Sequence, residues 1–194
     1  MLRGKKLCRK LTVFGDPISS PACLLNIFSE YTCEDSRHRH PAHKNKELVN
    51  IHADGKDIEL HLSLSDGTSR DDSYQPPLSS SYAVSEIAII CFATNSPESI
   101  ESVEKKWIGQ VLDLLRGVPI ILVGCSEPSQ SDTRTLQEPE SLQQGRQLCK
   151  KIGGVSYLEL SIDTSEGARE LLNTVTQLLL LPRRQKKFVH CVVL

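Results

Sequence analysis

A short segment near the start of the chain has the layout of a phosphate-binding loop. Gly15 directly follows the apolar run 11–14, and a helix-like segment begins at Pro21. Such a loop is normally written G-x-x-x-x-G-K-[ST]: backbone N–H groups hold the phosphates, the lysine neutralises them and the final hydroxyl binds Mg²⁺. In this chain Ser20, Pro21 and Ala22 occupy the last three positions.

These three residues lack the donors and the metal ligand that the motif requires. Pro21 has neither an ammonium group nor a backbone N–H, and Ala22 has no oxygen to offer Mg²⁺. The same residues make a good helix start, with Ser19 or Ser20 as the N-cap and proline at the first helical position. The sequence therefore predicts the outline of a phosphate loop without its ligands.

Length, charge and hydropathy narrow the class of protein. With 194 residues and a net charge of −1, the chain fits one domain with short tails and shows no overall attraction for nucleic acid. No apolar stretch of the sequence approaches the roughly 18 to 20 residues of a transmembrane helix. The seven cysteines are scattered without a C-x-x-C pattern, which indicates reduced, cytosolic thiols.

Apolar runs and turn signals alternate as in an α/β protein. Asp54-Gly55-Lys56 separates two apolar runs and is a strong hairpin signal, and Ser96-Pro97-Glu98 reads as a helix start. Alternation of this kind predicts a parallel sheet with helices on both faces and one antiparallel hairpin strand. Strands are predicted to end near 14 and to span 48–53, 58–64, 87–92, 118–123 and 157–160; helices are predicted from 21 towards 28, from 97 to near 117, from after 139 to 153, and at 167–181.

The last residues of the sequence carry a lipidation signal. Cys191-Val192-Val193-Leu194 is a C-a-a-X motif, and its final leucine favours geranylgeranylation. A single lipid chain binds membranes only marginally and needs a second signal. Basic side chains just before the motif supply it by binding an anionic leaflet: Arg183, Arg184, Lys186 and Lys187.

Together with this tail, several framework segments make the chain resemble the Rho family of Ras-superfamily small GTPases over nearly its whole length. The segments are "AIICF", "KWIGQV", "RGVPIILVGC", "IGGVSYLELS" and the hairpin "DGK". The resemblance implies an α/β, three-layer Ras-like G-domain with a six-stranded, mostly parallel sheet, one antiparallel hairpin strand and about five helices. That domain would span 1–181, followed by a basic hypervariable tail at 182–194.

The resemblance also implies that other nucleotide-binding loops are substituted. Ala42 aligns with the first-switch threonine, Leu64 with the metal-shell aspartate and Thr68 with the water-orienting glutamine of the second switch. In the guanine motif, Ser126 replaces the lysine and Pro128 the base-binding aspartate. The pocket keeps Gly15, Gly67 and Ser161.

Three features of the sequence have residue types that could replace the missing metal-binding and guanine-binding groups, but none has suitable spacing. Asp66 lies two positions beyond Leu64, roughly 6 to 7 Å along a strand, which is too far for a like-for-like role. Glu127 could accept the guanine hydrogens only after a register shift. The histidine-rich segment 37–43 has metal-ligand residue types, but its flanking arginines and its spacing favour a solvated loop over a zinc site.

We therefore expect a prenylated pseudo-GTPase with no catalytic residue, no metal site and no cofactor. The alternative is a weakly or conventionally active GTPase that binds GTP or GDP with Mg²⁺. Expected partners are a geranylgeranyltransferase, the cytoplasmic leaflet of a membrane and, by resemblance, a Rho dissociation inhibitor or effectors. A cytosolic pool is expected beside the membrane-bound one.

The tail generates the first testable prediction. Cys191→Ser should make the protein cytosolic in cell fractionation, because the thiol that accepts the lipid is removed. Neutralising the four basic residues should weaken membrane binding while leaving the lipid in place, since each contributes about 1 kcal/mol near an anionic leaflet. An unmodified Cys191 in wild-type protein from cells with active prenyltransferase, seen by mass spectrometry of the C-terminal peptide, would contradict this prediction.

Overall fold

The structure, a computed structural model, describes residues 7–19, 21–32, 46–65, 85–126 and 140–181. Within these residues a six-stranded sheet has the strand order β2-β3-β1-β4-β5-β6. The strands are β1 Leu7–Gly15, β2 Lys46–Ala53, β3 Lys56–Ser65, β4 Ile87–Ala93, β5 Ile120–Ser126 and β6 Ser156–Ser161. The helices are α1 Pro21–Thr32, α2 Pro97–Ser102, α3 Ile108–Leu114, α4 Glu140–Ile152 and α5 Ala168–Leu180, with a 3₁₀ turn at Pro17–Ser19 and a π-helical turn at Val103–Trp107.

The hairpin and the mostly parallel sheet are confirmed. β2 and β3 pair antiparallel across the two-residue turn Asp54-Gly55, whose φ angles of 49° and 68° both lie in the left-handed region. That turn suits the twist of a hairpin, and Asp-Gly is one of the few pairs that adopt it easily. The other strand pairings described are parallel.

The predicted helix start at Ser96 is confirmed as well. The Ser96 side chain accepts a hydrogen bond from the backbone N–H of Ser99 at 3.2 Å, and Pro97 is the first helical residue. The helix does not run uniformly to Gly117 as predicted. One π-helical turn separates α2 from α3, and single π turns of this kind recur at functional sites.

Two apolar layers pack against the sheet, one on each face. On one face α1 and α5 cover β1 and β3, with Leu11, Val13 and Leu171 in a shared buried cluster. On the other face Trp107 is fully buried, and its ring lies 6.3 Å from that of Phe14. β4 is buried along its entire length, as its continuous apolar run predicts.

Several predicted boundaries are wrong by a few residues. α1 continues to Thr32 rather than ending near Phe28, and β5 begins at Ile120 rather than Val118. Gly167 precedes α5 as a left-handed cap instead of starting it. Helix ends depend on caps and tertiary contacts more than on the periodicity that locates a helix.

The amino-terminal end of the sheet holds the end of the last helix. Arg9 donates from Nε to the backbone carbonyl of Leu179 at 3.3 Å and pairs with Glu86 at 3.5 Å. A cation at a helix C-terminus interacts favourably with the exposed carbonyl groups there. In the described residues, no helix is both long and apolar enough to span a membrane.

Two helical glycines provide a matched test of packing. Gly145 in α4 is buried, and a Cβ there would clash with the Tyr157 ring, which stacks on Phe92 at 6.2 Å. Gly109 in α3 is exposed, and a Cβ there would meet no described atom within 4 Å. Gly145→Ala should destabilise the protein by about 1–3 kcal/mol through overpacking. Gly109→Ala should stabilise it by about 0.5–1 kcal/mol, because alanine loses less backbone entropy in a helix.

Urea denaturation of both variants measures the two free energies of unfolding. Equal stabilisation by both substitutions would show that the Tyr157 ring does not occupy the space beside Gly145.

Candidate functional site

The predicted site lies along the carboxyl edge of the parallel strands. From β1 the chain crosses to the hairpin on one side, and from β3 it passes β1 to reach β4 on the other side, so the carboxyl end of β1 is a switch point of the sheet. Ligands of α/β sheets bind outside such points. Gly15 ends β1, Leu64 is next to last in β3, and Ser126 pairs with Ser161 where β5 and β6 end. The structure thus brings the described site residues to one edge of the sheet.

The segment after Gly15 is a closed turn. The backbone N–H of Ser19 donates to the carbonyl of Asp16 at 2.9 Å, and the Ser19 hydroxyl donates to the same carbonyl at 2.7 Å. Pro17 and Pro21 on either side have no N–H group. A phosphate cradle needs successive N–H groups that point at the ligand. In this loop the N–H of Ser19 is already bonded to Asp16, and Pro17 and Pro21 have no N–H to offer.

The space above Gly15 is filled by the protein itself. A Cβ at Gly15 would lie 2.8 Å from Ser19 Oγ and 3.0 Å from the carbonyl oxygen of Cys91. Ser19 is fully buried in this position. Gly15 is therefore kept for a tight internal contact between the turn and the neighbouring strand, and it leaves no gap above the strand end.

The carboxylate of Asp16 connects the turn to the π-helical segment. Lys106 Nζ lies 3.1 Å from Asp16 Oδ1 and 4.1 Å from the centre of the Trp107 ring. Partial burial alone would raise the pKa of Asp16, but the hydrogen bond and charge of Lys106, together with the nearby polar hydrogens of Trp107 and Ser102, outweigh it and hold the pKa of that carboxyl below its usual value. Trp107 Nε1 is buried near this carboxylate and has no hydrogen-bond partner among the described residues.

The described positions of the phosphate lysine, Pro21, and of the magnesium ligands, Ala22 and Leu64, offer no group that binds phosphate or metal. Pro21 is buried as the first residue of α1, and Ala22 is exposed beside it without an oxygen in its side chain. Leu64 is only 7% exposed and belongs to the hydrophobic cluster that includes its strand partner Val13. A leucine at this position contributes to the core, whereas a metal-shell aspartate would face a cation. These residues do not fit Mg²⁺.

At the ends of β5 and β6, where the guanine-binding loops of the family align, polar groups are hydrogen-bonded within the protein. The carbonyl of Ser126 accepts from the N–H of Ile162 at 3.2 Å. Ser161 donates its N–H to the carbonyl of Glu166 at 3.0 Å, and its hydroxyl accepts from the N–H of Thr164 at 3.4 Å. The retained Ser161 therefore orders its own loop. Nothing in these contacts reads a base edge.

The environment of the buried thiols beside the site makes them unreactive. Cys91 in β4 is fully buried, and burial together with the neighbouring Cys125 raises its pKa well above the usual value. A neutral thiol without access to solvent is a poor nucleophile and a poor metal ligand. Cysteine chemistry at this edge is therefore not favoured.

The other predicted site residues lie outside the described residues, so their roles stay predictions. They are Ser20, Ala42, Gly67, Thr68, Pro128, the basic tail residues and Cys191, along with the alternatives Asp66, Glu127 and the histidine-rich segment.

Sequence reasoning missed the pairing of Asp16 with Lys106. The two residues are 90 positions apart, and neither belongs to a sequence pattern that predicts a contact with the other. Their meeting depends on the π-helical turn, which has no recognised sequence signal here. The loop composition did indicate that phosphate donors were missing, but it could not show which groups had replaced them.

Comparison with known proteins places the chain in a family. Residues 10–180 match the model of the Ras family. The chain is similar to GTP-binding protein RHO1 of Candida albicans, with 36% identity over 97% of both chains. It is also similar to GTP-binding proteins rho5 and rho1 of Schizosaccharomyces pombe, at 32% identity (97% of this chain, 98% of rho5) and 33% identity (93% of this chain, 91% of rho1).

The pairing of Asp16 with Lys106 predicts a pH-dependent stability difference. Because the folded-state pKa of Asp16 is lowered, its contribution is present above the unfolded pKa of about 3.9 and is lost as the pH falls through the folded value. Lys106→Met should therefore lower the free energy of unfolding by about 0.2–1 kcal/mol at neutral pH, a range that allows for solvent screening of the half-exposed lysine. The difference from wild type should shrink towards zero in strong acid.

Denaturant titrations at neutral pH and at the lowest pH where the protein remains folded measure this difference. The control is Lys105→Met, since Lys105 pairs with Glu101 on the exposed side of the same helix. A loss for Lys106→Met that is as large in acid as at neutral pH would mean that packing on Trp107, not the ion pair, carries the effect.

Proposed function

Because the chain belongs to the Rho group of the Ras family of small GTPases, we propose that it is a pseudo-GTPase that signals through protein contacts and not through a GTP/GDP cycle. The closed turn after Gly15 carries this proposal. Its backbone donor and its carboxylate both bind groups of the protein, and the helix that follows begins with a proline. The Ser19 N–H and the Asp16 carboxylate thus have partners within the protein.

The missing contacts would weaken nucleotide binding enough to distinguish a pseudo-GTPase from a protein that binds GTP tightly. A hydrogen bond to a charged group contributes roughly 1.5–3 kcal/mol. Loss of about four such contacts, before magnesium is considered, costs on the order of 6–12 kcal/mol, or about four to nine decades in affinity. Neighbouring losses are not additive, so the upper value is a bound.

The alternative is a GTP-binding, weakly active hydrolase, and the names of the relatives favour it. Proteins similar to this chain over nearly their whole length are named GTP-binding proteins. Gly15 and Ser161 are also retained. Both residues make internal contacts that account for them without a nucleotide, and this weighs on the side of the pseudo-GTPase.

A fold without a γ-phosphate to order its switch loops needs another means of control. In this family the candidate partners are effectors and regulators. We propose that the amount of protein, membrane partition and such partners set the signal. Membrane partition would rest on geranylgeranylation of Cys191 with help from the basic tail, with the protein on the cytoplasmic side of membranes and a cytosolic pool beside it. No cofactor is part of the proposal.

The proposal predicts that nucleotide leaves thermal stability unchanged. GDP or GTP at millimolar concentration with Mg²⁺ should not shift the Tm in a thermal melt. A ligand present at about 100 times its Kd would add about 2.7 kcal/mol, which is easily detected. A magnesium-dependent rise in Tm would contradict the pseudo-GTPase and favour the alternative.

Two further measurements sharpen this test. Chromatography of nucleotide released from the denatured, purified protein should find none, whereas a stoichiometric amount of GDP or GTP would support the alternative. Pro21→Lys alone should also show no shift, because Ala22 and Leu64 still leave magnesium without a ligand. Nanomolar GTP affinity in that variant would show that the loop alignment is wrong.

A further inference from the structure

A second group of chemically competent side chains lies on the hairpin half of the sheet. Cys8 in β1 and Glu59 in β3 are directly paired across the parallel strands, and His61 lies two residues beyond Glu59. Because successive side chains of a strand alternate between faces, these three emerge on the same face. Cys8 is seven residues before Gly15, roughly 23 Å along β1, so this group is remote from the carboxyl edge.

The ligand atoms of the three residues are close enough to share an ion. Cys8 Sγ, a carboxylate oxygen of Glu59 and a ring nitrogen of His61 all lie within 4.8 Å of one another. His61 Nε2 is 3.3 Å from Glu59 Oε1. Zn–S bonds of about 2.3 Å and Zn–N or Zn–O bonds of about 2.0–2.2 Å place tetrahedral ligand atoms about 3.3–3.6 Å apart. The imidazole and carboxylate have that spacing already, and the thiol needs to move by at most roughly 1 to 1.5 Å to reach it.

The group is open to solvent and therefore to an incoming ion. Cys8 is exposed, and the side chains of His61 and Glu59 are 46% and 27% exposed. The buried apolar cluster on this face includes Phe14 at the far end of β1 but no residue of β2 or β3. Small rotations of these side chains consequently meet no core packing.

The residue types select the class of ion. A thiolate, an imidazole and a carboxylate form the mixed sulfur, nitrogen and oxygen set that Zn²⁺ accepts, whereas Mg²⁺ and Ca²⁺ require oxygen ligands. The two anionic ligands neutralise the dication. We propose that Cys8, Glu59 and His61 form a three-residue zinc site that joins β1 to β3 and leaves the fourth position of the metal to water.

Neighbouring groups set the strength and supply a control. Lys10 is paired with His61 in the register and lies on the same face, where its ammonium opposes a cation. The combined charge of Cys8 thiolate and Glu59 exceeds that of Lys10. His52 on β2 is an exposed histidine of the same hairpin that pairs with Asp57 at 2.7 Å and has no thiol beside it in the register. It is the matched control for His61.

The test is a Co²⁺ and Zn²⁺ titration of the reduced, full-length protein after removal of metals with a chelator. Wild type should bind one equivalent of Co²⁺ at this site with a thiolate charge-transfer band, and Zn²⁺ should displace it and raise the Tm. Cys8→Ser should abolish the band, and His61→Ala and Glu59→Gln should each weaken Zn²⁺ binding at least 10-fold, no less than the loss of a supporting outer-shell partner. His52→Ala should bind as wild type does.

The outcomes are decisive in either direction. Loss of the band in Cys8→Ser, with a metal-free Tm equal to that of wild type, supports the site. Absence of a cobalt band in the wild type would overturn it. An unchanged band and Zn²⁺ affinity in Cys8→Ser would overturn it too, and would assign the metal to other cysteines and histidines of the chain, such as Cys33 and the segment 37–43.

Discussion

Burial of the central strands on both faces is the constraint on which the rest of the structure depends. β1, β4 and β5 form the middle of the sheet, and helices cover them on either side. Such strands must be apolar where they are buried: β4 is buried throughout, β5 up to its last residue, and β1 from Leu11 to Gly15. At the carboxyl edge the buried residues Gly15, Ser19 and Leu64 pack without any ligand group. Substitutions there can remove a ligand site without loss of the fold, and Leu64 even extends the core.

The sequence predicted the fold well because the signals were local or repetitive. Continuous apolar runs located β4 and β5, Asp54-Gly55 located the hairpin, and Ser96 located a helix start. Each of these depends on short-range physics that the letters carry: burial, the left-handed turn and the side-chain cap. Helix ends and the π-helical turn were missed because packing across the sheet determines them.

For the site, the sequence predicted which ligand-binding residues are missing but not the contacts made in their place. The residue types at positions 20–22 and at Leu64 showed directly which donors and ligands were missing. The internal contacts that replaced them join distant parts of the chain, as Ser19 above Gly15 and Asp16 with Lys106 illustrate. Register across β1 and β3 similarly determines the grouping of Cys8 with Glu59 and His61. Sequence spacing gives no hint of that grouping, since Cys8 lies about fifty positions from the other two.

The contact between Arg9 and the end of α5 has a geometric consequence. It fixes the last described helix against the amino-terminal end of β1, so the chain leaves the domain at the pole opposite Gly15. The six residue steps from Arg9 to Gly15 separate these two ends by roughly 20 Å. A surface that captured the chain beyond Leu181 would hold the domain with its carboxyl edge pointing outward. The end of the domain nearer to that surface would then be determined by the packing of α5 in the core and by the Arg9 contact at the end of this helix.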